Sequence, residues 1–506
     1  MTAVNASERT PLLTDSNSES TVSTSDVDSE LNLQPQEERE PTPLPKVQLT
    51  CLLFILICEP ISSMFLFPFI NQLIFEYGIS GGDQKRTGYY AGLVASSFFM
   101  AETASVFFWG RLSDRVGRRP VISFGLAAVA VATVAFGFSR SLTTLMLSRA
   151  MAGGLSGNNS ILKGMVAEIT DESNQARAFS FTPVMFALAS TVAPIIGGKL
   201  AHPVERFPEI FGNSELFKAY PYLLPCLIVA LFPLMGNIIN IFFLKEASGI
   251  KSPLSLPKFS TTPTSPSSQS LSSSDSERTL TPESKPKPPS ISSMLTPRVR
   301  AAILNYSTIA LVGNMQNFIQ PLFMSTPTRY GGLGLSPSQI GSFLGALGIY
   351  NGIAQGIFFP PVHRKLGTTN LFRLSLGSYI LLFCFWPIIS HLAKQTDEVS
   401  GTLIRLQIAQ LSLLPLGRMA FSCSNIFLTS AAPSRHSMGG TVGLGQTFAA
   451  VSRSVGPSLA ATLFAVSIEK NVLGGDLVYV ILICIVLVSL VGTVTLPRVV
   501  KRASEE

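Results

Sequence analysis

The ten residues Gly110-Arg111-Leu112-Ser113-Asp114-Arg115-Val116-Gly117-Arg118-Arg119 stand between two apolar runs, at about 88–109 and 120–138. Each run is close to the ~20 residues that an α-helix needs to cross ~30 Å of hydrocarbon. Four arginines in so short a connection mark a cytoplasmic loop, because basic residues are retained on the inner side of a membrane. The stretch therefore reads as two spanning helices joined by a basic loop, and the rest of the chain repeats that pattern.

A first apolar run at 48–74 precedes this pair, and runs at 142–165, 178–201 and 220–244 follow it. A Ser/Thr/Pro-rich stretch from Lys245 to Arg300 then intervenes. Six more runs come after it, at 301–326, 338–361, 370–392, 402–430, 440–467 and 476–497. Composition agrees: 46% of the 506 residues are hydrophobic and 13% charged, with a mean hydropathy of +0.39, against about 25% charged in a soluble domain. The expected fold is all-α and integral to the membrane, with about twelve transmembrane helices in two six-helix halves. Residues 47–244 form one bundle and 301–497 the other. Residues 1–46, 245–300 and 498–506 should be cytoplasmic, the first two too polar to pack. No charged n-region with an apolar h-region opens the sequence, so the first run should act as its own signal anchor. His363, Arg364 and Lys365 mark a second cytoplasmic loop, and Arg498, Lys501 and Arg502 keep the C-terminal tail on that side.

The halves echo each other. Phe107-Phe108-Trp109 through Gly117 matches Ile357-Phe358-Phe359 through Gly367, and Val192-Ala193-Pro194 matches Val455-Gly456-Pro457. Repeated halves of this kind carry their site at the interface between them. The net charge of +7 lies in loops between apolar runs, so it implies no nucleic-acid partner. The six cysteines have no metal-ligand spacing, the four histidines form no cluster, and no phosphate-binding Gly-x-x-x-x-Gly-Lys-Ser/Thr loop occurs. No metal, no cofactor, no enzyme activity and no ATP-driven pump are expected.

Charge inside an apolar span is costly and marks function. Glu59, beside Pro60 in the first span, is the first candidate for carrying protons; Glu102 in the second span is another, or pairs with a basic residue. Arg149 in the fourth span joins them. Asn158 and Asn159 in the fourth span and Gln316, Asn317 and Gln320 in the seventh offer a polar lining. Arg418 and Arg453 in the second half either meet an anionic substrate or pair with Glu59 and Glu102.

The Gly110–Arg119 stretch resembles the loop after helix two of the major facilitator superfamily, Gly-x-x-x-Asp-Arg-x-Gly-Arg-Arg/Lys. The resemblance implies a conformational latch at Gly110, Asp114, Arg115, Gly117, Arg118 and Arg119, holding the outward-open state. The second copy carries Arg364 in place of the acid, so only the first half should hold a complete latch. Arg149 with Gly153 resembles the family's fourth-helix motif. Ala193, Pro194, Gly197 and Gly198 resemble the antiporter motif of the drug:proton branch, with Ala189 and Ala193 replacing two of its glycines. Within the superfamily the first half resembles the fungal and plant zinc-induced-facilitator-like group, through Gly88-Tyr89-Tyr90-Ala91-Gly92, Gly157-Asn158 through Lys163, and Tyr220-Pro221-Tyr222.

The function this implies is secondary active transport of a small molecule by alternating access, expected to be proton-coupled antiport. The alternatives are a symporter or facilitator for a sugar, amino acid or similar nutrient, and a non-transporting receptor or scaffold. The expected partners are membrane lipid, the small-molecule substrate and protons, and the chain is expected to act as a monomer. Kinases are expected at Ser252-Pro253, Ser265-Pro266 and Thr281-Pro282. Sorting adaptors should read the acidic dileucine Glu8-Arg9-Thr10-Pro11-Leu12-Leu13, which favours a vacuolar or endolysosomal membrane over the plasma membrane.

Overall fold

Hydrocarbon offers no partner for backbone N–H and C=O groups, so long apolar segments close their hydrogen bonds internally, as helices. The computed structural model describes residues 42–171, 174–245, 295–396, 400–433 and 438–493. Among these, helices occupy all twelve positions expected from the apolar runs. Eight are long and apolar enough to cross a membrane; the others are broken, shorter or more polar. The tail, the central linker and the final basic cluster, with the phosphorylation and dileucine signals, lie outside the described residues.

In the first half, α1 (Lys46–Met64) is followed after a five-residue break by α2 (Ile70–Glu76). Although Pro60 lies within it, α1 runs through that residue, and the break falls at Phe65–Phe69 around Pro68. A proline costs the helix a hydrogen bond one turn back, and at Pro60 the bundle tolerates that loss. Then come α3 (Thr87–Val116) and α4 (Arg118–Phe138). The fourth span is broken into α5 (Leu142–Gly154) and α6 (Asn158–Glu168). The fifth comprises α7 (Gln175–Phe179) and α8 (Phe181–Leu200). Three short helices, α9 (Pro203–Arg206), α10 (Pro208–Phe211) and α11 (Glu215–Ala219), lead to α12 (Leu223–Phe242).

The second half holds α13 (Pro297–Ser325), α14 (Pro337–Ile357) and α15 (Phe359–Lys394). The tenth span is split into α16 (Gly401–Ser412) and α17 (Leu414–Ser430). α18 (Met438–Glu469) and α19 (Leu477–Gly492) complete it. The internal repeat reaches the backbone: Gly117 (φ 106, ψ 155) and Gly367 (φ 73, ψ 166) take the same conformation, which L-residues with a Cβ avoid. The fourth and tenth spans also break at matching places.

The halves meet along two antiparallel pairs, α8 on α14 and α3 on α18. Small residues permit the close approach. A Cβ on Gly198 would strike the Pro337 carbonyl and Gly341, and one on Gly92 would strike Ala461. Polar ties between the halves gather at the end opposite the basic loop. Asn71 Nδ2 donates 2.8 Å to Ser325 Oγ, Arg86 reaches Glu469 at 2.8 Å, and Arg329 donates 2.6 Å to Gln84. Among hydrogen bonds between described residues, none joins the halves on the basic-loop side of Thr103 Oγ1 to the Ala450 carbonyl (3.3 Å). Among the described residues, the polar ties between the halves thus lie at one end.

Candidate functional site

The break between α5 and α6 builds the first part of the site. Gly153 lies against the Phe98 backbone, Gly157 against Trp109, and Trp109 Nε1 donates 2.7 Å to the Gly154 carbonyl. This docks the broken span onto α3 and turns Ser156 and Asn159 towards α1. Ser156 Oγ and Asn159 Nδ2 each donate 3.4 Å to a different oxygen of Glu59.

Glu102 on α3 lies within hydrogen-bonding reach of Glu59. Lys163, one turn beyond Asn159, and Arg453, on α18 of the other half, are near enough to act electrostatically on both carboxyls. Two acids and two bases thus converge from α1, α3, α6 and α18. Lys163 is itself exposed to solvent. Asn158 instead faces Gly125 of α4, its Oδ1 unpaired among the described residues. A void beside Glu59 is lined by Asn158, Asn159, Ser156 and Leu126.

A second polar group lines an open-mouthed cleft between the halves, with Met64, Phe67 and Phe186 on one side and α13, α14 and α17 on the other. Gln316, Asn317, Gln320 and Arg418 all reach it. Arg418 donates 2.7 Å to Asn317 Oδ1 and touches neither Glu59 nor Glu102. Of the two second-half arginines, only Arg453 acts electrostatically on the carboxyls, and it forms no ion pair with them within 4 Å among the described residues.

Arg149 also stands apart from them. It is 2% exposed, donates 2.8 Å to the Ser62 carbonyl and 3.5 Å to that of Ser63, and lies over the Phe98 ring at 4.7 Å. Those carbonyls belong to the last turn of α1, whose acceptors have no partner within the helix. Arg149 is thus placed as a C-terminal cap, where the helix dipole favours a cation.

The latch residues divide. Arg118 pairs with Glu168, and Arg119 donates 2.7 Å to the Ile241 carbonyl and 3.3 Å to that of Asn240. Both tie helix ends within the first half. Asp114 and Arg115 are exposed, and Asp114 has no partner among the described residues. Gly110 lies inside α3, with open space where a Cβ would be, and the turn is made by Gly117. In the antiporter-like motif, Gly197 abuts the Phe65 carbonyl at the break in the first span, while Pro194 and Gly198 abut Gly341. That motif packs one helix between two others.

Two features escaped the sequence reading. Lys163 could have been found as a lysine inside an apolar run, four residues from Asn159. The other lies at the end opposite the basic loop, where Glu76 accepts from Tyr222 (2.6 Å) and from His202 (3.1 Å). Burial raises the Glu76 pKa, but hydrogen bonds from His202, Tyr222 and Gln72 outweigh it and hold the carboxyl below its usual range. The hydrogen bond to Glu76 raises His202 in turn, against the opposing effect of burial.

Known proteins agree with this architecture. The Major Facilitator Superfamily model matches residues 52–457. The major facilitator-type transporter psiT2 of Psilocybe cyanescens is 32% identical over 491 residues, covering 92% of this chain and 93% of the relative. Protein ZINC INDUCED FACILITATOR-LIKE 1 of Arabidopsis thaliana is 27% identical, covering 84% and 85%. In fold, the chain is similar to a bacterial homologue of the human lysosomal transporter Spinster, solved inward-facing and unoccupied, with a TM-score of 0.63 at 15% identity over 90% of this chain and 98% of that one. The chain belongs to the Major Facilitator Superfamily of membrane transporters.

Proposed function

We propose that this transporter is a proton-coupled antiporter of a small molecule, standing with its basic-loop, cytoplasmic end open. One observation carries the reading: the Glu59–Glu102 pair stands in the electrostatic field of Lys163 and of Arg453 from the opposite half. Two carboxyls within hydrogen-bonding reach can hold a proton between them. Arg453 alone of this group belongs to the other half, so movement of the halves changes the charge that the pair feels. Proton release and reorientation are thereby linked through the field of one arginine. Asp114 and Arg115, unengaged while this end stands open, serve the latch when it closes. The acidic dileucine at Leu12 and Leu13 supports a vacuolar or endolysosomal address, and the Ser-Pro and Thr-Pro pairs of the linker support control by kinases.

The test uses the purified chain in proteoliposomes, with a substrate found by screening a chemically broad panel under an imposed pH gradient. Antiport requires accumulation when the lumen is the more acidic side. Glu59→Gln and Glu102→Gln should each abolish that accumulation while exchange at equal pH persists. Full gradient-driven accumulation in both variants would sink the carboxylate mechanism, and accumulation only under the reversed gradient would make the protein a symporter.

A further inference from the structure

Arg418 is a cation with no anion. Among the described residues no carboxylate lies within ion-pair distance of it, and its one side-chain hydrogen bond goes to Asn317 Oδ1 at 2.7 Å. A guanidinium carries five N–H donors in a planar fork suited to carboxylate and phosphate oxygens. Most of that fork is left for the cleft that Arg418 lines. An unpaired charge at this depth in a membrane bundle is costly and calls for a compensating ligand.

A second, independent orphan points into the same cleft. Gln320 is 1% exposed, and its Nε2 has no hydrogen-bond partner among the described residues. Gln316 Nε2 donates 3.4 Å to Gln320 Oε1, which engages the acceptor end of the amide and leaves the donor end free. Arg418 and Gln320 thus offer convergent donors and no negative charge. The walls around them are apolar and partly aromatic, with Met64, Phe67 and Phe186 from the first half facing Leu344 and Leu347 of the second.

We propose that this cleft is a subsite for the anionic group, a carboxylate, sulfonate or phosphate ester, of an amphipathic small molecule whose apolar body rests on Phe67 and Phe186. Arg418 and Gln320 hold the anion, and the unpaired Asn351 Oδ1 accepts from a hydroxyl or amine on the same molecule. This rests on the cleft's being the substrate path of the transporter, but not on proton coupling.

Two xanthene dyes of opposite charge, anionic fluorescein and cationic rhodamine 6G, separate charge from shape. Binding is followed by fluorescence anisotropy with the full chain in phosphatidylcholine nanodiscs, which present no anionic headgroup, and with empty discs subtracted. Fluorescein should bind saturably. Arg418→Gln should weaken it at least about tenfold and Gln320→Leu by a smaller factor, while Arg418→Lys, which keeps the charge but loses the fork, should recover part of the affinity. Rhodamine 6G should be indifferent to all three. Unchanged fluorescein binding in Arg418→Gln, preference of the wild type for rhodamine 6G, or no saturable binding of either dye would each overturn the subsite. Because binding needs no gradient, loss of antiport with Arg418-dependent fluorescein binding intact would overturn the coupling mechanism and leave the subsite standing.

Discussion

Arg149 and Arg418 are both arginines within apolar spans, and their surroundings give them opposite tasks. Arg149 is fully buried, enclosed by α1 carbonyls and the Phe98 ring, and faces no cleft. Arg418 keeps most of its donors in a cleft. The His202–Glu76 tie shows single residues acting outside the spans, with consequences for pH. His202 titrates above its ordinary ~6.5, so its contribution is full below that value and is lost as pH rises through the raised one. Glu76 titrates below its ordinary range, so its contribution holds above that range and is lost as pH falls through the lowered value. Between those limits the tie is at full strength. The purified protein should therefore melt at a higher temperature at pH 6 than at pH 8. His202→Gln should remove the part of that difference owed to the tie, on the order of 1 kcal/mol for a partly exposed pair. A pH 6-to-8 difference identical in the variant would refute the assignment.

At the scale of the helix, α3 and α18 form a zipper of small residues with an unfinished end. Gly92 abuts Ala461, the Ser96 hydroxyl accepts 2.9 Å from the Ser458 N–H, and Thr103 bonds to Ala450. The same antiparallel register continued towards the basic loop sets Gly110 opposite Gly443. Both now have empty space where a Cβ would be. Closing the open end should bring these glycines together, since glycine permits the shortest interhelical approach. Gly110→Leu should leave stability within about 0.5 kcal/mol of wild type, as at other uncrowded positions. It should nevertheless slow transport severely by blocking closure. The paired substitutions Gly110→Cys and Gly443→Cys should form a disulfide in the closed state, where their Cα atoms come within ~7 Å. Wild-type turnover in Gly110→Leu, or absence of the cross-link under every substrate and pH condition, would contradict the register.

Over the whole molecule, the proposed alternating access requires one bundle to move against the other. The ties at the closed end, such as Arg86 with Glu469 and Asn71 with Ser325, are few, polar and partly exposed, so they can be exchanged for contacts at the basic-loop end at little cost. The chain between the bundles must permit that motion without directing it. Replacing residues 246–294 with a Gly/Ser spacer of equal length should thus leave transport rates within about twofold of wild type, since such a spacer is a flexible coil with ample reach. Loss of transport in a well-expressed variant would show that the segment is part of the machinery.

Helix positions and the two repeated halves were legible in the sequence, because hydrocarbon forces each apolar run into a helix. Glu59 and Glu102 were also legible as costly charges, since desolvation acts on a residue wherever its partners come from. What each charge meets was decided by tertiary packing. Lys163 and Arg453 reach Glu59 from about 100 and 390 positions away along the chain, and no local pattern links them. Nor could periodicity tell that Arg149 would cap α1 while Arg418 faced a cleft. Both are arginines in similar spans, and their tasks differ only through the neighbours that the packed bundles supply.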